Sequence, residues 1–416
     1  MITQPNLDPR EAVYVARQPI LEASGNVFGY ELLYRAGATA TSCDDSRDLA
    51  AARVLNDAVL TLGLERLTGG RKAFVNLTRQ LLLSDLASLF PAPAVVLEVL
   101  EDVEVDSEVT NACRHLRDQG YAIALDDFTP GTGADALLPF AKYVKIDALA
   151  LSSSERRRIY GSLPRTITPI AEKVETAEVF KAVQDEGCRL FQGYYFCKPA
   201  TISAGAVSAR RLAYARLLAA LNKPGVGIGD IEDLIKHDAS LTVRVLRCIN
   251  SAAFGIRREV QSIRQALVLL GLEQIRKWAS VWALAGLNDG ASFELVTMAI
   301  LRARSCELLA QDVKGVDNTS EYFLLGLCSL LEGMLGIPLA EAVEQMPLSA
   351  TVKAALTGTR NSARAVLDAV IAYERGEWEE AGTMAERASI AADRLPAAYA
   401  DALKWARELS VATAAA

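Results

Sequence analysis

Histidine is nearly missing from this sequence: His115 and His237 are the only two in 416 residues, and they lie far apart. Chemistry built on clustered imidazole ligands, such as zinc hydrolysis, is thereby excluded. Any metal site must be made of oxygen ligands, which suit magnesium or manganese rather than zinc. Cys-x-x-Cys pairs are missing as well. The seven cysteines (Cys43, Cys113, Cys188, Cys197, Cys248, Cys306, Cys328) are scattered and no secretory signal precedes them, so reduced thiols in a cytoplasmic protein are expected. Long apolar runs are absent. The most membrane-like stretch, 323–340, is interrupted by Glu332, three glycines and Pro338, and reads as a buried helix and a turn, not a span. Positive charge is also in short supply. A net charge of -7 argues against nucleic acid or anionic lipid as partner, and the pair Arg257-Arg258 is too small to reverse that.

What is present is a long, ordinary globular composition. With 51% hydrophobic and 23% charged residues over 416 positions, the sequence predicts two soluble domains. Residues 1–12 read as a loose terminus, 13–200 as an alternating strand and helix domain, 201–209 as a linker and 210–416 as wholly helical. In the first domain, strands are expected over 13–20 and 27–35, joined by a turn too short for anything but an antiparallel hairpin. A helix is expected over 48–62. Further strands follow at 73–77, 95–100, 121–127, 143–146, 168–174 and 190–196, with helices over 78–90, 106–119, 154–160 and 177–186 between them. An α/β barrel of the TIM type, its first repeat replaced by the hairpin, is the economical fold class; an open doubly wound sheet is the alternative.

Polar residues recur at the ends of these apolar strands. Glu31, Asn76, Glu98, Asp126, Asp127, Lys145, Asp147, Glu172 and Gln192 all fall within or at the C-terminal end of one, the end where barrel active sites are assembled. One such acid often does no more than cap the next helix. The five carboxylates of Glu31, Glu98, Asp126, Asp127 and Glu172, with the amide of Asn76, would repel each other on one rim unless divalent cations lay between them. Lys145 is then either a structural counter-ion or the group that positions and deprotonates an attacking water. Arg35, on the same strand face as Glu31, is placed to meet an anionic ligand.

The stretch Glu31-Leu32-Leu33-Tyr34-Arg35 resembles the E-A-L-x-R signature of EAL domains, cyclic-di-GMP phosphodiesterases with a modified TIM barrel. The resemblance runs through Gln18-Pro19-Ile20, Val75-Asn76-Leu77, Leu97-Glu98, Asp126-Asp127-Phe128, Lys145-Ile146-Asp147, Glu172-Lys173-Val174-Glu175-Thr176 and Gln192-Gly193-Tyr194, in the family's order. It implies metal ligation by Glu31, Asn76, Glu98, Asp126, Asp127 and Glu172, with Mg2+ or Mn2+ as cofactor. It implies Lys145 on the nucleophilic water, with Glu31 and Asp126 as the other catalytic groups, and Arg35, Gln192 and Gln18 on the ligand. Three positions depart from the pattern: Leu32 replaces alanine, Thr129-Pro130 is inserted after Phe128, and Lys173 stands where glycine is usual. Hydrolysis and a site that has lost turnover both remain open on this reading.

In the helical half, 241–272 resembles the HDOD domain, a relative of HD phosphohydrolases used for signal output, through Leu246-Arg247-Cys248-Ile249-Asn250-Ser251-Ala252 and Ser262-Ile263-Arg264-Gln265-Ala266-Leu267. The catalytic relatives carry a His-Asp metal pair where Gly326-Leu327-Cys328-Ser329-Leu330 has serine and leucine, so a non-catalytic module with an unidentified protein partner is implied. A homodimer fits the same reading. Asn250 and Arg264 are expected to bond to each other between helices, and Trp278 and Trp282 to pack in the core.

Overall fold

In the computed structural model of the chain, residues 13–36, 63–84, 87, 90–193, 209–223, 225–237, 242, 245–246, 249–250, 260–287, 293–316, 318–335, 337–344, 346 and 348–414 are described. The chain divides into two compact units. One is Met1–Lys198 together with Ala372–Gly382, the other Pro199–Ile371 together with Thr383–Ala416.

The first unit is a closed barrel with its eight strands in sequence order. β1 (Val13–Glu22) and β2 (Val27–Ala36) form the expected antiparallel hairpin, with Gln18 opposite Glu31. From β2 onward each strand lies parallel to the next: β3 (Lys72–Leu77), β4 (Val95–Val99), β5 (Ala122–Leu125), β6 (Tyr143–Asp147), β7 (Thr168–Glu172) and β8 (Leu190–Gln192). β8 then closes the ring antiparallel to β1, with Ile20 opposite Gln192. The helices α1 (Leu64–Thr68), α2 (Arg79–Leu83), α3 (Ser107–Asp118), α4 (Ser153–Ser162) and α5 (Ala177–Asp185) connect parallel neighbours. Their starts follow from capping: Asp106 accepts from the Val109 amide at 2.9 Å, and Ser152 and Glu155 bond reciprocally across the first turn of α4.

Strand alternation stacks the barrel interior in layers. Ile20, Phe74, Val96, Ala124, Tyr143, Ile170 and Leu190 form one buried apolar cluster. Two residues further toward the C-terminal rim, the same strand faces carry Gln18, Asn76, Glu98, Asp126, Lys145, Glu172 and Gln192. The polar layer therefore sits directly on an apolar floor.

Several boundaries differ from expectation. β7 stops at Glu172 because Lys173 adopts a left-handed φ of 52°. β8 stops at Gln192 because Gly193, at φ 145°, lies so close to the Val174 backbone that a Cβ there would be 2.4 Å from it. The helix expected over 78–90 is reduced to Arg79–Leu83, closed by the Ser84 hydroxyl donating to Leu81 O at 2.8 Å. The helix expected over 48–62 and the strand end beyond residue 193 lie outside the described residues.

The second unit is helical throughout its described residues. Its sequence supplies α6 (Ala209–Leu221), α7 (Ile228–Lys236), α8 (Ile263–Leu270), α9 (Leu272–Leu287), α10 (Phe293–Ala310), α11 (Ser320–Cys328), α12 (Leu331–Leu335), α13 (Leu339–Glu344), α14 (Ala350–Leu356), α15 (Ser362–Glu374), α16 (Trp378–Arg387) and α17 (Arg394–Ala414). The end of α15 and the start of α16 belong to the first unit. The break between α16 and α17 falls at Ser389, with φ 62°. Pro396 sits in the first turn of α17, where a missing N–H costs nothing.

Candidate active site in the barrel

The barrel's polar layer converges on one ammonium. Lys145 Nζ lies 3.1 Å from Glu31 Oε2, 3.0 Å from Asp126 Oδ1 and 2.7 Å from Glu172 Oε1, and it also bonds Glu98 Oε1. The four acids come from β2, β4, the end of β5 and β7, so closure of the sheet is what brings them together. Lys145 is 1% exposed and Glu98 fully buried. Four carboxylates around one buried cation leave an excess of negative charge with little solvent to screen it.

That imbalance governs protonation. Burial works against the Lys145 charge, but the carboxylates of Glu31, Glu98, Glu172 and Asp126 outweigh it and hold its pKa well above the usual lysine range. Burial would also raise Glu31, yet Lys145 and the amides of Gln192 and Asn76 keep that carboxyl below its usual value. Glu98 lacks such donors. Burial, with repulsion from its acidic neighbours, drives it well up against the pull of Lys145. Glu172 is pushed up to about 8 by burial, Lys145 opposing and Asp126 and Glu31 adding to the rise.

Amides orient Glu31. Asn76 Nδ2 donates to its Oε1 at 3.0 Å and Gln192 Nε2 to its Oε2 at 2.6 Å. Gln192 also donates to Gln18 Oε1 at 3.0 Å. Buried oxygens are left without partners: Asn76 Oδ1, Glu98 Oε2, Asp127 Oδ1 and Gln192 Oε1. Orphaned acceptors at this density are exceptional in a folded core. A donor set made wholly of carboxylate and amide oxygens matches a hard divalent cation. Among the described residues no group of three or more His, Cys, Asp or Glu side chains is drawn together at metal-holding spacing, and the ammonium is the point of convergence.

The structure thus gathers Glu31, Asn76, Glu98, Asp126, Lys145, Glu172 and Gln192, with Gln18 one bond further out. Asp127 stands apart. Its backbone is left-handed at φ 39°, and its Oδ2 lies 3.7 Å from Lys173 Nζ, which bonds Asp147 Oδ2 at 2.5 Å. Lys173 therefore keeps the backbone conformation that favours glycine while adding a cation to the rim. The Thr129-Pro130 insertion falls at exposed positions beyond the buried Phe128. It leaves Asp126 in place, the Asp126 amide donating to Val99 O at 3.0 Å and the Phe128 amide to Lys145 O at 2.9 Å. The side chain of Arg35 lies outside the described set. Sequence reasoning missed Tyr34, whose hydroxyl donates to Asn76 O at 2.6 Å; being on the opposite strand face from Glu31, it gave no signal.

In the helical unit, Arg302 on α10 is 1% exposed and donates to Ser329 Oγ at 3.3 Å, beside the segment 326–330. Gly326 admits α10 so closely that a Cβ would fall 2.4 Å from the Arg302 carbonyl carbon. Asn250 and Arg264 do not meet, contrary to expectation. Asn250 exchanges two bonds with the Val260 backbone at 2.7 and 2.8 Å, and Arg264 pairs with Glu232 at 2.7 Å. Trp278 and Trp282 are both buried, edge to face at 5.6 Å. His237 ends α7, its Nδ1 2.6 Å from Asp233 O. No helix of the described residues is long and apolar enough to cross a membrane.

Comparison with known proteins follows this division. Residues 9–199 match the EAL domain family and residues 212–371 the HDOD domain family. The chain is 32% identical over 408 residues to the uncharacterized protein YuxH of Bacillus subtilis, covering 95% of this chain and 98% of that one. It is 31% identical over 383 residues to the cyclic di-GMP phosphodiesterase CdgJ of Vibrio cholerae, covering 90% and 88%. Among solved structures, the manganese and cyclic-di-GMP complex of Klebsiella pneumoniae BlrP1 matches 46% of this chain and 56% of its own, with 26% identity and a TM-score of 0.37.

Proposed function

The chain belongs to the EAL–HDOD family, and from that premise we propose that it is a cyclic-di-GMP signalling protein whose barrel hydrolyses the dinucleotide to its linear form. The observation that carries this reading is the convergence of four carboxylates from separate strands on a point where one ammonium cannot neutralise them. In this reading Glu31, Asn76, Glu98, Asp126, Asp127 and Glu172 hold magnesium or manganese, which would supply Lewis acidity toward the phosphodiester oxygens. Lys145, whose ammonium already bonds the acids of the ring, acts as a hydrogen-bond donor that aligns the attacking water. Asp126 is the most exposed of its four carboxylate partners, at 16%, and is the acceptor open to that water. Glu31 is held in one orientation by its two amide donors. Arg35 meets a phosphate, and Gln192 and Gln18 face the ligand's polar edge. The helical half, without a metal-binding pair at 326–330, passes the state of the barrel to a protein partner in the cytoplasm, as monomer or homodimer.

A second reading is favoured by Lys173. An ammonium between Asp127 and Asp147 competes with any cation for those oxygens, which suits a receptor that binds cyclic di-GMP without cleaving it. Incubating the purified protein with cyclic di-GMP and Mg2+ or Mn2+ separates the two. Linear product, lost in Glu31→Ala, supports hydrolysis; binding heat without product selects the receptor. Neither product nor heat at high protein concentration would sink both.

A further inference from the structure

Among the described residues, the strand that closes the barrel meets one end of β1. β8 pairs with Ile20, Leu21 and Glu22, and no described strand lies beside the earlier residues of β1 on that side. Such an edge invites a covering element. Here the cover is Ala372–Gly382, which packs as part of the barrel unit although it lies about 180 residues beyond the barrel's last strand in sequence. The Tyr373 hydroxyl accepts from Val15 N at 3.2 Å and donates to Val15 O at 3.3 Å, as a neighbouring strand would. Its ring sits 6.1 Å from Tyr14 and 5.0 Å from Trp378, which is itself 6.0 Å from Tyr14. Gly376, at φ 75°, lies against Leu33 so tightly that a Cβ would come within 2.7 Å of its Cδ1. Leu33 is the residue between Glu31 and Arg35 on that face.

The same turn reaches the acidic ring. Gln18 Nε2 donates to Arg375 O at 3.1 Å while Gln18 Oε1 accepts from Gln192 Nε2, whose remaining hydrogen goes to Glu31. Three hydrogen bonds thus run from a backbone carbonyl of the segment to the Glu31 carboxylate. The Arg375 carbonyl settles which end of the Gln18 amide faces Gln192. Without it, Gln18 is free to turn its NH2 toward the NH2 of Gln192, two donors face each other, and the amide that fixes Glu31 loses its support.

We propose that Ala372–Gly382 is a positioning element of the barrel site, acting on Glu31 through Gln18 and Gln192. What the site does rests on the function proposed above; the chain of contacts does not. Both ends of the segment run on into the helical unit, at Ile371 and Thr383. A ligand that tightens Glu31 therefore tightens the segment, and tension on the segment loosens Glu31, by the same factor in each direction.

A double-mutant cycle in the full-length protein tests this, using Gly376→Val to lift the turn from Leu33 and Gln18→Ala to cut the relay. Cyclic-di-GMP binding with Mg2+ is read by calorimetry, and turnover where it occurs. Gly376→Val is expected to weaken binding or kcat/KM by about tenfold, the scale of a lost outer-shell partner, and to have no further effect once Gln18 is alanine. Full additivity of the two substitutions in a folded protein overturns the proposal. Tyr373→Phe, a milder change, gives the same comparison should Gly376→Val fold poorly. Hydrogen exchange without ligand supplies a readout independent of the proposed function: Gly376→Val must speed exchange both in 372–382 and at 190–192. Speeding the first alone sinks the inference. A wild-type protein that ignores cyclic di-GMP while exchange behaves as expected sinks the function and not the contact chain.

Discussion

Two buried ionic clusters in the same barrel are built in opposite ways. Around Arg156 every charge is matched. Its Nε and Nη2 bond Glu186 Oε2 and Oε1 at 2.8 and 3.0 Å, its Nη1 bonds Ala148 O and Leu151 O, and Ser153 Oγ completes Glu186 at 2.7 Å. Around Lys145 four acids share one ammonium and several oxygens have no partner. A balanced, satisfied pair ties α4 to the end of α5 and asks for nothing further. The unbalanced cluster holds unmet acceptors in place, which folding alone does not favour. The difference separates an ion pair that serves structure from one that the proposed function assigns to a ligand.

The comparison is tested hardest at Lys145. Lys145→Met leaves four acids with no counter-ion, so turnover is expected to fall by at least ~10²-fold, and stability by about 3–5 kcal/mol, as for removal of one partner from a buried pair. Denaturation in metal-free buffer, beside an activity assay, measures both. If Lys145→Met were as stable and as active as wild type, the cluster would be no more than a tolerated set of buried charges.

Next comes the balanced pair. Glu186→Gln leaves the Arg156 guanidinium buried without its carboxylate and should cost about 3 kcal/mol, with the site's response to metal unchanged. Burial would raise the Glu186 carboxyl, but the bonds from Arg156 and Ser153 hold it below its usual value of 4.5. A carboxyl depressed in the folded state contributes stability that is complete above its unfolded value and is lost as pH falls through the folded one. The gap between wild type and Glu186→Gln is therefore expected to be flat from about pH 6 to 8 and to close below about pH 4.5. A gap that widened in acid would contradict the pairing.

How much of this was legible in the sequence can be argued from single residues. Glu98 and Glu172 stood out because an acid two positions after a buried apolar residue breaks an otherwise apolar strand, and Glu31 because it interrupts an apolar, aromatic run four residues before Arg35; period-two alternation fixes their direction. The hairpin was legible from the short turn-forming run Glu22-Ala23-Ser24-Gly25-Asn26 at the junction of its strands. The separation of Asp127 from Asp126 was not, because it depends on a left-handed φ of 39° that no composition signals. Neither was the contact of Asn250 with Val260 in place of Arg264, since both arginine and asparagine have many neighbours within reach and packing chooses among them. Tyr373 and Arg375 carried no sign of the barrel at all. A contact across 357 residues is a property of the fold, not of a local pattern.

A third expectation sharpens the contrast without mutating the ring. On the proposed function Mg2+ or Mn2+ binds the folded state through oxygens that the unfolded chain does not preorganise, so it should stabilise the protein by about 2.7 kcal/mol at a hundredfold excess over its dissociation constant. Thermal unfolding with and without metal measures the shift. Glu31→Gln should abolish it and Glu186→Gln should keep it. An equal shift in all three proteins would place the metal elsewhere.

The smallest effect concerns how α4 carries Arg156. Ser152 caps the helix, bonding the Glu155 carboxylate at 2.6 Å with its hydroxyl and at 2.8 Å with its amide, while its oxygen accepts from the Glu155 amide at 3.4 Å. Ser152→Ala removes the hydroxyl and leaves the amide bond, so the loss should be about 1 kcal/mol, the usual worth of an N-cap. Arg156 begins the second turn of the same helix, with its amide bonded to Ser152 O at 3.0 Å, so fraying from Ser152 loosens the guanidinium before it reaches the rest of α4. Combined with Glu186→Gln, the cap mutation should then cost less than it does alone, because the pair it would have steadied is already broken. Paired with Lys145→Met it should simply add. Urea unfolding of the six proteins (wild type, three single and two double variants) reads both results, and additivity in the first pairing would mean that α4 holds Arg156 by packing and not by its cap.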